Sequence, residues 1–407
     1  MDSGFNTILC RYCEIALKGK NRGMFEQCLM DNIRYLLKRV ENLKISRIRG
    51  RLNIFHRDME NFTVQELNEI KNKLPKAFGL ASFSPAVVCE PDMEKILAAV
   101  ERCAGDVFRK ALEDKKNPAF RIRARRSDKS FPLVSRDIEI TIAELIDKLY
   151  NSEERLRVDL ENADVTVSCE VREKKAFIFF ETFSGPGGLP TGSNAPVLCL
   201  ISGGIDSPVA AALMMKRGCH VDFITFDSYP YTPPEALEKV RRITGVLNTF
   251  QRPGKLYACN LAEIQKKIRD NCSEKYRTVL YRRYMFRIAE AVAEKHKLKA
   301  LVTGESVGQV ASQTIVNLST INNAVKMLIL RPLAGYDKEE VIDIAKRIDT
   351  FNISKEQVPD SCTVFAPNAP ATAAPLDKIE YEESGLEIDD LLMETVKNTL
   401  ESAETVL

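Results

Sequence analysis

The stretch LCLISGGIDSPVAAALMMKRG, residues 198–218, passes from an apolar run through Ser-Gly-Gly-Ile-Asp-Ser into a segment rich in small residues. The apolar run predicts a buried strand, and Pro208 suits the first turn of a helix, where a missing N–H costs nothing. Glycines let the backbone approach an anion, and the free N–H groups of a helix N-terminus attract one. Asp206 suits such a cradle only if a Mg²⁺ ion accompanies the phosphates. The stretch therefore predicts a phosphate-binding loop that lacks the lysine of a Walker-type P-loop.

The residues around this loop alternate between predicted strands and helices. The predicted strands are 197–201, 220–226, 255–260 and 300–303. The predicted helices are 208–217, 234–247, 261–271, 276–296 and 338–348. This alternation is typical of a doubly wound α/β fold with a parallel sheet, in which ligands bind at the carboxyl ends of the strands.

The first 183 residues differ in both element order and charge. Their predicted strands and helices follow no strict alternation, which indicates an α+β arrangement. Residues 1–57 contain twelve Lys and Arg against five acidic residues, and residues 115–136 contain eight against Asp128 alone. Two such basic regions favour a polyanionic partner such as a nucleic acid. They are equally compatible with a solvated surface that is balanced by the acidic residues 377–407.

Composition limits the class of protein. The 407 residues are enough for two or three domains, and no apolar run approaches the ~18 residues of a membrane span. The start of the chain, with Asp2 and no basic-then-apolar pattern, predicts no export. Eleven cysteines in such a chain indicate reduced thiols in a cytoplasm. Cys10 and Cys13 would face opposite sides of a strand, so they predict no metal site.

The hexapeptide 202–207 after its apolar strand resembles the PP-loop of the ATP pyrophosphatases, the adenine nucleotide α-hydrolase-like group. In that group the loop holds the pyrophosphate end of ATP, and the bond between the α- and β-phosphates is broken. Further segments resemble one branch of the group, the tRNA 4-thiouridine synthetases (tRNA uridine 4-sulfurtransferases, the ThiI family). These segments are RYCEIALKGKNRGMFE (11–26), VTGESVGQVASQT (302–314), RPLAGYDKEEVIDIAK (331–346) and PDSCTVFAP (359–367).

The resemblance implies a multidomain α/β and α+β protein. We expect an N-terminal ferredoxin-like domain, a tRNA-binding THUMP domain, a linker, a PP-loop domain and an acidic helical tail. Their expected ranges are 1–58, 59–183, 184–196, 197–375 and 376–407.

The resemblance also implies site residues. ATP and Mg²⁺ are the expected cofactors, and tRNA is the expected partner. The expected nucleotide-binding residues are Leu200, Ile201, Ser202, Gly203, Gly204, Asp206, Ser207, Thr225, Phe226, Arg282, Gly304 and Gln313. The expected RNA-binding residues, taken from the two basic regions, are Lys18, Lys20, Arg22, Arg121, Arg123, Arg125, Arg126 and Lys129. From sequence alone, an arginine such as Arg282 is more often a surface residue.

Asp206, Lys338 and Cys362 are the expected catalytic residues. Cys362 lies in a polar, proline-punctuated stretch, where a thiol serves better as a nucleophile than as a core residue. The resemblance assigns it to sulfur transfer, as carrier of the persulfide or as one thiol of a disulfide-forming step. Lys338 is a candidate to neutralise phosphate or to stabilise an adenylated uridine, and equally a solvated lysine at a helix start.

The sulfur source is expected to be a separate protein. Some family members carry a rhodanese domain, for which the residues after Cys362 are too few, so a cysteine desulfurase is the expected donor. A second role is expected in sulfur transfer to the sulfur-carrier protein for thiamine thiazole synthesis.

The expected activity is therefore ATP-dependent tRNA uracil 4-sulfurtransferase, which makes 4-thiouridine at position 8 and releases AMP and pyrophosphate. Three alternatives remain at this stage: a PP-loop enzyme that thiolates another tRNA position, a PP-loop enzyme that amidates a small molecule, and a non-catalytic RNA-binding protein.

Overall fold

The computed structural model describes residues 2–48, 50–58, 60–151, 155–359 and 365–407. The chain divides into two compact units, Met1–Gly188 and Leu189–Leu407. Within the described part of the chain, no helix combines the length and apolar character that crossing a bilayer requires.

The N-terminal unit is built on one mixed sheet with the strand order β2-β3-β1-β4-β8-β7-β5-β6, and β9 pairs with β4. Its strands are β1 (Thr7–Arg11), β2 (Leu43–Ile48), β3 (Arg51–His56), β4 (Ser82–Cys89), β5 (Ala119–Arg126), β6 (Arg157–Val158), β7 (Val165–Val171), β8 (Ala176–Phe179) and β9 (Phe183–Ser184). Its helices are α1 (Arg22–Leu36), α2 (Val64–Lys73), α3 (Met93–Asp114) and α4 (Ser135–Tyr150). Separate apolar cores form around α1 and α2 and around α3 and α4, as expected for two α+β modules.

The C-terminal unit is built on a six-stranded sheet with the order β14-β13-β10-β11-β12-β15. Its strands are β10 (Val197–Leu200), β11 (Val221–Asp227), β12 (Lys255–Asn260), β13 (Leu301–Val302), β14 (Ile329–Leu330) and β15 (Glu404–Thr405). Its first helices are α5 (Asp206–Lys216), α6 (Pro234–Asn248), α7 (Ala262–Asn271), α8 (Arg277–Lys295) and α9 (Ile315–Asn322). Its last helices are α10 (Lys338–Arg347), α11 (Phe351–Ser354), α12 (Leu376–Ser384) and α13 (Asp389–Glu401).

Strand order places the site of this unit. All neighbours from β14 to β12 are parallel, and only β15 is antiparallel. The chain runs from β10 outward to β11 and β12, and then returns to the other side of β10 as β13 and β14. β10 is therefore the switch point, and the crevice beyond its carboxyl end is where ligands bind in such sheets.

The acidic C-terminal segment belongs to the core of this unit. Ile379 and Ile388 are buried in the same apolar cluster as Leu198 of β10 and Ile224 of β11. Ser402, beyond α13, accepts a hydrogen bond from the amide of Ala258 and donates one to its carbonyl, both at 2.9 Å. The acidic residues of this segment thus lie on elements whose apolar residues close one edge of the sheet.

Candidate active site

The loop between β10 and α5 is held closed by its own serines. The amide of Ser202 donates to Ser207 Oγ at 2.9 Å, the two hydroxyl oxygens lie 3.1 Å apart, and the amide of Gly204 donates to Ser202 Oγ at 3.3 Å. No side chain of the described residues caps the start of α5. The first N–H groups of this 11-residue helix therefore remain available for an anion, and the helix dipole favours one there.

Close contacts around this loop require a glycine at position 304 and leave little room beside Gly203. A Cβ on Gly304, just beyond β13, would lie 2.5 Å from the amide nitrogen of Ser207, which no real side chain tolerates. A Cβ on Gly203 would lie 3.1 Å from Cδ of Lys239. The local sequence pattern predicted the glycines of the loop. Gly304 is required for a different reason, because the chain just beyond β13 passes close to the amide of Ser207.

Asp206, the first residue of α5, is held by two long-range partners. Lys338 Nζ lies 2.7 Å from one carboxylate oxygen, and Gln309 Nε2 donates to the other at 3.0 Å. Lys338 is the first residue of α10, and the capping box of Asp337 and Glu340 fixes where that helix begins. The structure therefore brings together two of the three residues that the sequence analysis took as catalytic.

A cleft on one side of the loop collects most of the expected nucleotide-binding residues. We name it the Arg282 cleft; it is open to solvent. Its lining residues are Leu200, Ile201, Ser202, Asp206, Ser207, Phe226, Arg282, Met285, Phe286, Thr303, Gly304, Glu305 and Gln313. Nine of the twelve residues expected to bind the nucleotide are among them. The cleft joins apolar side chains, among them Phe226, Met285 and Phe286, to the anion-binding loop, as a nucleotide requires.

Glu305 is the residue of this cleft that the sequence analysis missed. Its side chain is only 2% exposed, forms an ion pair with Arg282, lies 2.6 Å from Arg331 Nε and accepts a hydrogen bond from Thr303 Oγ1 at 2.9 Å. Burial by itself would raise the pKa of Glu305, but the two guanidinium groups lower it below the ordinary value. Glu305 therefore holds Arg282 at the cleft wall as a fixed cation.

A second cleft, also open to solvent, lies beside the same loop. We name it the Asp227 cleft; it shares only Ser202 and Phe226 with the Arg282 cleft. Its lining residues are Ser202, Gly203, Gly204, Thr225, Phe226, Asp227, Thr232, Ala236, Leu237, Lys239, Val240, Ser354, Val358 and Pro359. The other three residues expected to bind the nucleotide, Gly203, Gly204 and Thr225, lie here.

Lys239 links this second cleft to the loop. Its buried ammonium donates to the carbonyls of Ser354 at 2.9 Å and Glu356 at 2.7 Å, and Ser354 Oγ donates to the carbonyl of Gly204 at 3.1 Å. These bonds fix the chain just after α11 against the phosphate loop. A lysine within an ordinary helical pattern carried no signal of this role in the sequence.

Cys362 lies within residues 360–364, outside the described residues. The described cysteines of the C-terminal unit are Cys199, Cys219, Cys259 and Cys272, and all four are buried. Burial raises the pKa of each, to about 12 for Cys259 and Cys272. These thiols stay protonated at neutral pH and are poor nucleophiles.

The expected RNA-binding residues of the N-terminal unit fall into two groups. Those that project into solvent are Lys20, Arg123, Arg125 and Lys129. Those that are half-buried are Lys18, Arg22, Arg121 and Arg126. Arg121 and Arg123 both donate to the carbonyl of Leu160, and alternate positions place them with Arg125 on one face of β5.

Comparison with known proteins matches every part of this architecture. The sequence model of the ThiI family (thiamine biosynthesis protein) matches residues 192–388, the ThiI ferredoxin-like domain matches 7–84 and the THUMP domain matches 91–181. A probable tRNA sulfurtransferase of Halothermothrix orenii is 40% identical over 97% of this chain and 98% of its own length. One from Brevibacillus brevis is 39% identical over 97% of this chain and 95% of its own.

The solved structures that resemble the chain include the following two. The crystal structure of a 4-thiouridine synthetase–RNA complex with bound ATP has a TM-score of 0.85 at 35% identity and covers 98% of both chains. The structure of PH1313 from Pyrococcus horikoshii has a TM-score of 0.62 at 27% identity and covers 84% of this chain and 99% of its own. The expected ferredoxin-like, THUMP and PP-loop fold is confirmed, and the chain belongs to the ThiI family of tRNA sulfurtransferases.

Proposed function

We propose that this protein is an ATP-dependent tRNA uracil 4-sulfurtransferase that makes 4-thiouridine at position 8 of tRNA. The observation that carries the proposal is the Arg282 cleft, which is lined by nine of the twelve residues expected to bind a nucleotide, three of them from the Ser202–Ser207 loop. The relatives named tRNA sulfurtransferase and the RNA-bound 4-thiouridine synthetase support the choice of substrate.

The described residues fit ATP. The loop at the start of α5 offers N–H groups to phosphates, Gly304 leaves room for the close approach of β13, and Phe226 and Phe286 line the cleft beside Arg282. ATP supplies the adenylyl group that turns uridine O4 into a leaving group, with pyrophosphate released. In our proposal, the loop holds the pyrophosphate end and Arg282, fixed by Glu305, binds and orients the nucleotide.

Asp206 is the proposed protein ligand of an accompanying Mg²⁺. A carboxylate provides about four lone-pair sites, so the bonds from Lys338 and Gln309 leave sites for a metal. Mg²⁺ in nucleotide sites is commonly held by one or two carboxylates together with phosphate oxygens. Lys338 is then the proposed cation that stabilises negative charge beside this carboxylate.

Cys362 is the proposed sulfur carrier. Its terminal persulfide sulfur, delivered by a cysteine desulfurase, attacks C4 of the activated base and expels AMP. A second thiol then attacks the cysteine sulfur, which breaks the S–S bond, leaves a disulfide and frees the thiolated base. In the alternative order, the second thiol attacks the persulfide first and releases hydrosulfide, which then displaces AMP. The four described cysteines of the C-terminal unit are buried with raised pKa values, which leaves Cys362 as our candidate nucleophile. We place the reaction in the cytoplasm, where the eleven cysteines of the sequence would stay reduced.

The N-terminal unit is the proposed tRNA-binding part. Lys20, Arg123, Arg125 and Lys129 offer solvent-exposed cations for phosphate contacts, which supply salt-sensitive affinity. The target uridine is stacked in folded tRNA and has to leave the stack before it reacts.

The test is the ultraviolet absorbance of 4-thiouridine in tRNA from a deletion strain complemented with the wild type, Asp206→Ala or Cys362→Ala. We expect 4-thiouridine with the wild type and none with either variant. Full thiolation by both variants would contradict the mechanism. Sequencing of the thiolated nucleotide separates position 8 from the alternative, another tRNA position.

A second role in sulfur transfer to the sulfur-carrier protein for thiamine synthesis is proposed because the matching family model is described as a thiamine biosynthesis protein. We expect the same deletion strain to require thiazole for growth. Growth without thiazole would exclude the role in that organism.

A further inference from the structure

We propose that the Asp227 cleft receives the uracil base of the nucleotide to be thiolated, and that the Asp227 carboxylate accepts a hydrogen bond from uracil N3–H. This inference rests on the proposed function and assigns the cleft beside the one that holds nine of the twelve residues expected to bind the nucleotide.

The position of the Asp227 cleft supports uracil as its occupant. The Asp227 cleft shares Ser202 and Phe226 with the Arg282 cleft, so occupants of the two clefts meet at the phosphate loop. Its wall also includes Val358 and Pro359, the last described residues before Cys362 in the chain. The reacting base has to contact both the phosphate loop and the sulfur carrier. We therefore expect it in a cleft that is bordered by the loop and by the residues that lead to Cys362 in the sequence.

The chemistry of the walls is the second argument. Phe226, Ala236, Leu237, Val240 and Pro359 supply apolar surface for a flat ring. Thr225, Asp227 and Thr232 supply polar atoms along the same cleft. A small ring that is apolar on its faces and polar at its edge matches such a lining.

Asp227 supplies the selective contact. One of its oxygens accepts the amide of Tyr229 at 3.0 Å, and the other accepts no hydrogen bond from a described residue. Uracil presents a donor at N3 next to O4, whereas cytosine presents an acceptor at N3. A carboxylate accepts hydrogen bonds only, so it favours uracil over cytosine. Burial raises the pKa of Asp227, which indicates that the carboxylate lies in a partly dehydrated environment, where such a bond is stronger.

The competing occupant is the pyrophosphate end of the nucleotide, because Gly203 and Gly204 also line this cleft. A carboxylate facing the cleft argues against it, since like charges repel unless a metal intervenes, and Asp206, the proposed Mg²⁺ ligand, lines the Arg282 cleft and not this one. The experiment below separates the two occupants.

Ala236→Trp fills the cleft, and Glu235→Trp places the same side chain on the exposed neighbouring position of α6 as a control. Asp227→Ala removes the acceptor, and Asp227→Asn keeps one acceptor oxygen. For each full-length variant we would measure the Kd for ATP, the Kd for tRNA and single-turnover thiolation of tRNA with a persulfide donor. Circular dichroism would check folding.

We expect Ala236→Trp and Asp227→Ala to lower thiolation about 10- to 100-fold with unchanged Kd values. Asp227→Asn, which keeps one acceptor oxygen, should lower thiolation less than Asp227→Ala does, and Glu235→Trp should stay within a few-fold of the wild type. Normal thiolation by Ala236→Trp or by Asp227→Ala would overturn the inference alone. Weaker ATP binding by Ala236→Trp would overturn it in favour of the pyrophosphate. A wild-type protein that binds ATP and tRNA without thiolating it would overturn the proposed function, and this inference with it.

Discussion

Replacing Glu305 with glutamine tests the electrostatics of the Arg282 cleft. Breaking a buried ion pair by removing one partner costs about 3–5 kcal/mol, because the remaining charge is left without compensation. Glu305 is 2% exposed, while the side chains of Arg282 and Arg331 are 20% and 16% exposed and can recover some hydration. Glutamine also keeps one acceptor oxygen. We therefore expect the lower end of the range, a loss of about 3 kcal/mol.

Native-state hydrogen exchange measures this loss locally. Peptides from β10 and α8 report the free energy of opening of the C-terminal unit, so unfolding of the N-terminal unit does not contribute to the measured value. Glu263→Gln, which removes an exposed carboxylate paired with Lys266, is the matched control and should cost less than about 1 kcal/mol. We also expect Glu305→Gln to weaken ATP binding, because Arg282 loses the partner that holds it at the cleft.

The lowered pKa of Glu305 determines how its contribution to the free energy of unfolding changes with pH. The folded-state pKa of Glu305 lies below its ordinary value of 4.5, so its contribution to stability is complete above that pH. The contribution is lost as the pH falls through the lowered folded-state pKa. Urea unfolding should therefore show a difference between wild type and Glu305→Gln that is full at pH 7 and shrinks below about pH 4.5. A difference under about 1 kcal/mol at pH 7, or one that does not change with pH, would refute the reasoning.

Three further predictions concern the loop and the basic surface. Gly304→Ala should lower the free energy of unfolding by about 1–3 kcal/mol and abolish ATP binding. Gly335→Ala, where a Cβ meets open space, is the control and should do neither in the same melting and binding assays. Lys338→Met should reduce single-turnover thiolation at least about 100-fold. Because the lysine side chain is 44% exposed, the same variant should change the stability by less than about 1 kcal/mol; a normal rate would remove its proposed role. Arg125→Ala should lower the slope of log Kd for tRNA against log salt by about one, while Arg109→Ala, an exposed arginine paired within α3, should leave the slope unchanged.

The phosphate loop was predictable from sequence because its determinants are local. These determinants follow one another directly in the chain: an apolar run long enough for a strand, then glycines and two serines, then a proline in the first helical turn. Each of them acts on its immediate neighbours. The alternation of strands and helices after residue 197 was equally local and correctly indicated the parallel sheet. The short strands β14 and β15 were missed, because two residues carry no recognisable period.

The packing of the acidic C-terminal segment could not be predicted from local sequence patterns. Its charge predicted a tail, yet Ile379 and Ile388 are buried with β10 and β11, and β15 pairs with β12. Charge describes the solvent face of a helix, and only packing reveals what its apolar face covers.

The sequence by itself therefore determined the loop, the order of the elements and the family. Only the tertiary structure decided that Lys338 meets Asp206, that Glu305 lies between two arginines, and that Ser354, held by Lys239, bonds to Gly204. The physical reason is distance along the chain. Asp206 and Lys338 are 132 residues apart, and their 2.7 Å contact exists only because the switch point at β10 brings the start of α5 and the start of α10 together.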